Sequence, residues 1–178
     1  QPDVPKMIVE NFQPLGKIDS ALDRSTIAHV NISDLNQDGL QDVIVCDVLN
    51  RSVSWIQQLP NGEFIESSIL EDVGGAVHAE VVDIDFDGDN DVLVAVMGVI
   101  LPSTVKSGQV IILENDGTNQ FLPHVIADQI HRVTDVQAGD LDGDGDLDLS
   151  VAQFGYTQGA VEWFENVGDW KFDRHLLI

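Results

Sequence analysis

Three stretches of nine residues place acids or amides on alternate positions: DLNQDGLQD at 34–42, DIDFDGDND at 83–91 and DLDGDGDLD at 140–148. Numbered from one, positions 1, 3, 5 and 9 hold Asp34, Asn36, Asp38 and Asp42, then Asp83, Asp85, Asp87 and Asp91, then Asp140, Asp142, Asp144 and Asp148. Position 6 is always glycine, at Gly39, Gly88 and Gly145. So many carboxylates in so short a span repel one another unless something cancels their charge. A hard cation does so, because Ca²⁺ takes about six to eight oxygens and a tight loop offers alternate side chains plus a carbonyl. Glycine at position 6 permits the left-handed turn that wraps the chain around an ion. Many flexible oxygen donors favour Ca²⁺ over Mg²⁺.

Three rival readings compete with this one. An EF-hand closes with a glutamate at position 12, but here position 12 is Val45, Val94 and Val151, each inside an apolar run. A dockerin-type loop fails at the same position. The closing acid sits at position 9 instead, and no helical pattern flanks the loops. A solvated acidic turn is the usual fate of one charge run, but three in register exceed that explanation.

Composition agrees with metal sites. The 178 residues carry 31 acids against eight lysines and arginines, a net charge of −23. That charge argues against nucleic acid or anionic membrane as a partner, since both need a basic face. The three loops hold thirteen of the aspartates, and three bound Ca²⁺ would bring the charge to about −17. The single cysteine, Cys46, forbids internal disulfides and falls in an apolar strand, where a buried inert thiol is expected. No run of 18 apolar residues spans a membrane. The chain starts at Gln1, from which we expect processing or excision from something longer. Calcium sites of millimolar affinity work where the ion is abundant, so the expected location is extracellular, periplasmic or at the cell surface.

The loops are landmarks of a longer repeat that must position them. After each comes an apolar strand, then SVSWIQQ, QVIILEN or AVEWFEN, then a glycine turn, then FIESSIL, FLPHVIA or FDRHLLI. Val53 to Phe64, Val110 to Phe121 and Val161 to Phe172 each span 11 residues, and Phe64 to Asp83 and Phe121 to Asp140 each span 19. The loops lie 49 and 57 residues apart, and the difference of eight falls between Asp91 and Val110, an insertion at about 97–108. Each repeat has four strand-like runs with period-2 character and no helical pattern. Four strands in about 50 residues is the signature of a β-propeller blade. We therefore expect an all-β propeller of four-stranded blades. The blades divide as repeat 1 at 28–77, repeat 2 at 78–133 and repeat 3 at 134–178, with 1–27 an N-terminal extension or partial blade. In that segment MIVENF faintly echoes VEWFEN, although Phe12 to Asp34 is 22 residues rather than 19.

The D-x-[DN]-x-D-G-x-x-D loop, with [WI]-x-[EQ]-[NQ] and a glycine–phenylalanine pair downstream, resembles FG-GAP/VCBS repeats over residues 28–178. These build integrin-type and related bacterial propellers. The resemblance implies a Ca²⁺ loop near the start of each blade, with side-chain ligands from positions 1, 3, 5 and 9. It also implies a backbone carbonyl ligand from position 7, which is Leu40, Asp89 and Asp146. About three ions are expected. Asn36 gives the first loop one charge fewer, so its site should be weakest. The family mostly performs adhesion, recognition or scaffolding, and a shared fold is a poor guide to exact function.

No nucleophile–base arrangement, G-x-S-x-G or HExxH occurs, so a non-enzymatic role is expected. The alternatives are a non-catalytic part of a secreted carbohydrate-active or redox enzyme, or a calcium-dependent lectin. His29, His78 and Asp135 each lie five residues before their loops, on what should be the innermost strand. There they either hydrogen-bond neighbouring blades or ring the channel and hold a transition metal. Trp55, Ile112 and Trp163 fall at matched positions and read as inter-blade core, and His124 and His175 as half-exposed outer-strand residues. The apolar GVILP of the insertion reads either as a recognition surface or as a hairpin folded onto its own blade. Three blades are fewer than the four to eight of a closed propeller, so either further blades belong to a longer parent protein or chains pair to complete the ring. The expected partners are a protein or glycan ligand, together with self-association or docking to another chain through the first and third repeats.

Overall fold

A computed structural model describes residues 25–178 except 156 and 158. Among these residues there are twelve strands and no helix. The expectations for residues 1–24, including the MIVENF echo, lie outside the described residues.

The first sheet contains β1 (Ile27–Ser33), β2 (Asp42–Asp47), β3 (Ser52–Gln58) and β4 (Phe64–Leu70). The second contains β5 (Ala76–Val82), β6 (Asp91–Val96), β7 (Gly108–Asn115) and β8 (Phe121–Ile130). The third contains β9 (Arg132–Gly139), β10 (Asp148–Phe154), β11 (Ala160–Asn166) and β12 (Phe172–Leu176). Each sheet is an antiparallel meander in chain order, as expected of propeller-like blades. The first strands pack on one another, β1 on β5 and β5 on β9, so they form the inner edge.

Two apolar clusters hold the three sheets in a row. Ile44, Cys46, Val53 and Trp55 of the first sheet meet Ala79, Val92, Val94, Ile111 and Leu113 of the second. The other face of the second sheet, with Leu93, Ala95, Val110 and Ile112, meets Val133, Val136, Leu149, Val151 and Phe164 of the third. Period-2 alternation explains why β6 is buried at every residue: it is the second strand of the middle sheet, so both its faces are covered. Trp55 reaches across to Phe121 in an edge-to-face contact with centroids 6.4 Å apart.

Trp163 departs from its expected core role. It is only partly buried and packs on His175 of its own sheet, because no fourth sheet covers that face among the described residues. His124 and His175 do lie on the outer strands, paired with Glu114 and Glu165 of the strands beside them. The insertion is an irregular loop before β7 whose Val99, Ile100, Leu101 and Val105 are exposed. Buried Arg132 holds it down by donating from Nη1 to the carbonyls of Ile100 and Leu101.

Candidate metal centre

Each aspartate loop joins the inner strand of a sheet to its second strand. Position 1 follows β1, β5 or β9, and position 9 opens β2, β6 or β10. The turn needs two left-handed residues. Position 6 has φ of 89°, 101° and 103° at Gly39, Gly88 and Gly145. Position 4 is left-handed too, at Gln37 (57°), Phe86 (60°) and Gly143 (83°), a conformation the glycine pattern alone did not reveal. Side chains are disfavoured there, and only the third loop relieves the strain with glycine.

The position 9 carboxylates do more than close a ligand set. Asp42, Asp91 and Asp148 are all buried. In each, Oδ2 accepts the amide of position 2 (Leu35 at 3.3 Å, Ile84 at 3.1 Å, Leu141 at 3.1 Å). Oδ1 accepts an amide at the end of the third strand, from Gln58, Asn115 or Asn166, always at 2.8 Å. One carboxylate thus ties the loop to two strands. Sequence spacing marked these residues as acids but could not show that they staple β2 to β3, β6 to β7 and β10 to β11.

The other acids fold the loop inward. Asp34 Oδ2 accepts the Gly39 amide at 2.8 Å and Asp83 Oδ2 the Gly88 amide at 3.1 Å, whereas Asp140 Oδ1 accepts from Gly143. At position 3, Asn36, Asp85 and Asp142 accept the position 5 amide. At position 5, Asp38, Asp87 and Asp144 accept the amide of position 7, from Leu40, Asp89 and Asp146, at 2.9 Å each. Adjacent loops also touch. Gln37 Nε2 donates to the Gly88 carbonyl at 2.8 Å, and Asn90 Nδ2 donates to the Asp34 carbonyl at 2.9 Å.

Two triads of acids converge tightly enough to share an ion among the described residues. Oxygens of Asp83, Asp85 and Asp91 lie within 4.8 Å of one another, as do those of Asp140, Asp142 and Asp148. Asp87 and Asp144 are not in these triads. In the first loop Asn36 Nδ2 donates to Asp38 Oδ2 at 3.0 Å.

The electrostatics of the second loop test the fit. Burial pushes the Asp91 carboxyl up to about 6, against the lowering effect of the Asn115 and Ile84 amides. Asp85 is raised by burial and by the charges of Asp87 and Asp83. Asp83 Oδ1 is buried with no hydrogen-bond partner. Buried carboxylate oxygens are costly when unpaired, and a cation among these oxygens removes that cost. The donor set is all oxygen, which suits a hard cation.

A second cluster lies at the inner edge. The His29 and His78 rings are 4.4 Å apart, and His78 Nε2 is 3.3 Å from Asp135 Oδ1. Gln137 Nε2 is 3.1 Å from His78 Nε2, and Glu80 accepts the Ala138 amide. Burial holds the His78 imidazole below its ordinary pKa, Asp135 opposes that shift, and His29 reinforces it.

Comparison with protein families finds that the model of the FG-GAP-like repeat matches residues 34–94 and 99–151, more than half of the chain. No curated protein and no solved structure matches.

Proposed function

The chain belongs to the family of FG-GAP-like repeats, and on that premise we propose that it is a calcium-binding, non-enzymatic module of an extracellular β-propeller. Repeats of this family are generally extracellular protein-interaction modules, and no described helix is long and apolar enough to cross a membrane. The observation that carries calcium binding is the convergence of Asp83, Asp85 and Asp91, with Asp83 Oδ1 buried and unpartnered, repeated as a triad by Asp140, Asp142 and Asp148. The ion would cancel the charge and complete the coordination of the loop. Asp87 and Asp144, the position 7 carbonyls and the loop of Asp34, Asn36, Asp38 and Asp42 complete the proposed set of about three sites, the first being weakest. Calorimetric titration of EDTA-treated protein should show Ca²⁺ uptake at two to three sites, and no heat of binding at millimolar Ca²⁺ sinks the reading. A glycan array separates a lectin from a scaffold that binds protein. Turnover of a polysaccharide that one substitution outside the loops abolishes would replace both with an enzyme.

The partner reading rests on exposure at repeat-equivalent positions. Val30 is 56% exposed, whereas its equivalents Ala79 and Val136, which face a preceding sheet, are fully buried. On the opposite side Leu35 and Ile84 are 0% and 2% exposed beneath the following sheet, but Leu141 is 53% exposed. Among the described residues, the first sheet thus leaves open the face by which the other two dock, and the third leaves open the face that receives them. Around Val30, a cleft of about 410 Å³ is lined by Val43, Val45 and Ile56. The two open faces complement one another position for position, so a second copy is the proposed occupant, docked head to tail. Light scattering in Ca²⁺ should report a dimer or larger closed assembly; a monomer at tens of micromolar overturns this reading.

A further inference from the structure

We propose that the second aspartate loop is positioned from the neighbouring sheet, by Gln37 and Asn90, so that calcium held by Asp83, Asp85 and Asp91 also locks the first sheet onto the second. The proposal rests on the calcium reading above and adds to it a regulatory consequence that belongs to one loop alone.

Two hydrogen bonds cross between the first and second loops in opposite directions. Gln37, at position 4 of the first loop, donates from Nε2 to the Gly88 carbonyl at 2.8 Å. Asn90, at position 8 of the second, donates from Nδ2 to the Asp34 carbonyl at 2.9 Å. Each involves backbone or side chain next to the acids of the triad. The Gly88 amide is bonded to Asp83 Oδ2 at 3.1 Å. The Asp89 amide, in the same peptide plane as the Gly88 carbonyl, is bonded to Asp87 Oδ1 at 2.9 Å. Gln37 therefore holds from the first sheet a peptide unit that Asp87 holds from within the loop. Asn90 lies between Asp89, whose carbonyl belongs to the proposed ligand set, and Asp91 of the triad. A loop already fixed before an ion arrives gives up less conformational freedom on binding, and its affinity rises accordingly.

The second and third loops lack these links. The residues at the corresponding positions are Phe86 and Leu147, whose side chains carry no donor. By aspartate count the second and third loops are equals, with five each. The cross-sheet bonds are what separate them, and the buried, unpartnered Asp83 Oδ1 belongs to the loop that has them. The second loop should therefore bind Ca²⁺ more tightly than the third. Emptying it should loosen the first sheet, whose Cys46 lies in the apolar cluster shared with the second.

Calorimetric Ca²⁺ titration tests this in protein carrying Asp38→Asn and Asp142→Asn, where the second loop alone is intact. Adding Gln37→Met keeps the length of the side chain and removes the donor. We expect it to weaken that site about fivefold or more. It should leave the third loop unchanged when that loop is the intact one, in protein carrying Asp38→Asn and Asp85→Asn. Asn90→Leu, which copies Leu147 of the third loop, should weaken the second loop likewise, and melting curves in Ca²⁺ check that each variant folds. A disulfide reagent in Ca²⁺ should modify Cys46 faster in Asp85→Asn than in Asp142→Asn. Second-loop affinity that Gln37→Met and Asn90→Leu leave intact overturns the proposal and spares the calcium reading. Equal weakening of both loops by Gln37→Met, or equal Cys46 protection in Asp85→Asn and Asp142→Asn, overturns it as well. Absence of Ca²⁺ uptake by the wild type removes both.

Discussion

Asp91 Oδ1 accepts the backbone amide of Asn115 at 2.8 Å, so a residue of the loop before β6 holds the end of β7, 24 positions along the chain. Its other oxygen holds Ile84 at 3.1 Å. A residue read as a ligand is therefore also a staple, and the two roles separate by experiment. Asp91→Ala leaves two buried amides without partners, at about 1–3 kcal/mol each. It should lower the melting temperature in Ca²⁺ and in EDTA alike. Asp85→Asn keeps the acceptor for the Asp87 amide and removes a charge from beside Asp83 and Asp87. It should cost stability in Ca²⁺ and none in EDTA. Wild-type protein should itself lose roughly 2.7 kcal/mol per site on chelation, relative to a hundredfold excess over Kd. Equal loss for Asp85→Asn in both buffers would show that the loop acts without a metal.

Cys46 offers a probe of the first sheet interface. Burial pushes its thiol up to about 12, and it belongs to the apolar cluster shared by the first and second sheets. The thiolate is the reactive form, so a chromogenic disulfide reagent at pH 8 should modify the calcium-loaded protein very slowly and the denatured protein at once. If calcium removal loosens the sheets, modification should accelerate in EDTA. Rapid reaction in Ca²⁺ would contradict the burial on which the packing account depends.

Asp47 predicts a pH dependence away from the loops. Burial raises its carboxyl, but the amides of Thr26, Asn50 and Leu49 outweigh that and leave it below the ordinary value. A carboxylate depressed on folding stabilises the fold above its unfolded value and loses that contribution as pH falls through the folded one. Asp47→Ala should therefore cost about 1–3 kcal/mol at pH 7, a gap that narrows below about pH 4. A gap that stays constant down to pH 3 would remove the charge from the explanation.

Two glycines should respond to alanine for different reasons. At Gly39 nothing lies within 4 Å of an added Cβ, so only its φ of 89° opposes the change, at about 1–2 kcal/mol. At Gly108 an added Cβ would sit 2.2 Å from the His131 carbonyl oxygen, backbone that cannot step aside without moving the β8–β9 junction. Gly108→Ala should cost more than Gly39→Ala in thermal melts, and the reverse order would mean that the junction yields easily.

What the sequence determined by itself was the repeat. The aspartate spacing, the position 6 glycines and the constant 11-residue step from Val53 to Phe64 and its equivalents marked four strands per unit, because turn chemistry and period-2 burial are local properties. The FG-GAP resemblance rested on the same local pattern. Only the tertiary structure decided the rest. Asp42, Asp91 and Asp148 act as staples because their amide partners come from strands up to 24 residues away, which no spacing of acids encodes. Position 4 is left-handed at Gln37 and Phe86 because the loop must close on Asp34 and Asp83, although neither residue advertises that conformation. Trp55 is buried and Trp163 is not, since burial depends on whether another sheet follows. His29, His78 and Asp135 were visible as a matched set, but their meeting required three sheets stacked by their inner strands and a bulge in each to aim them.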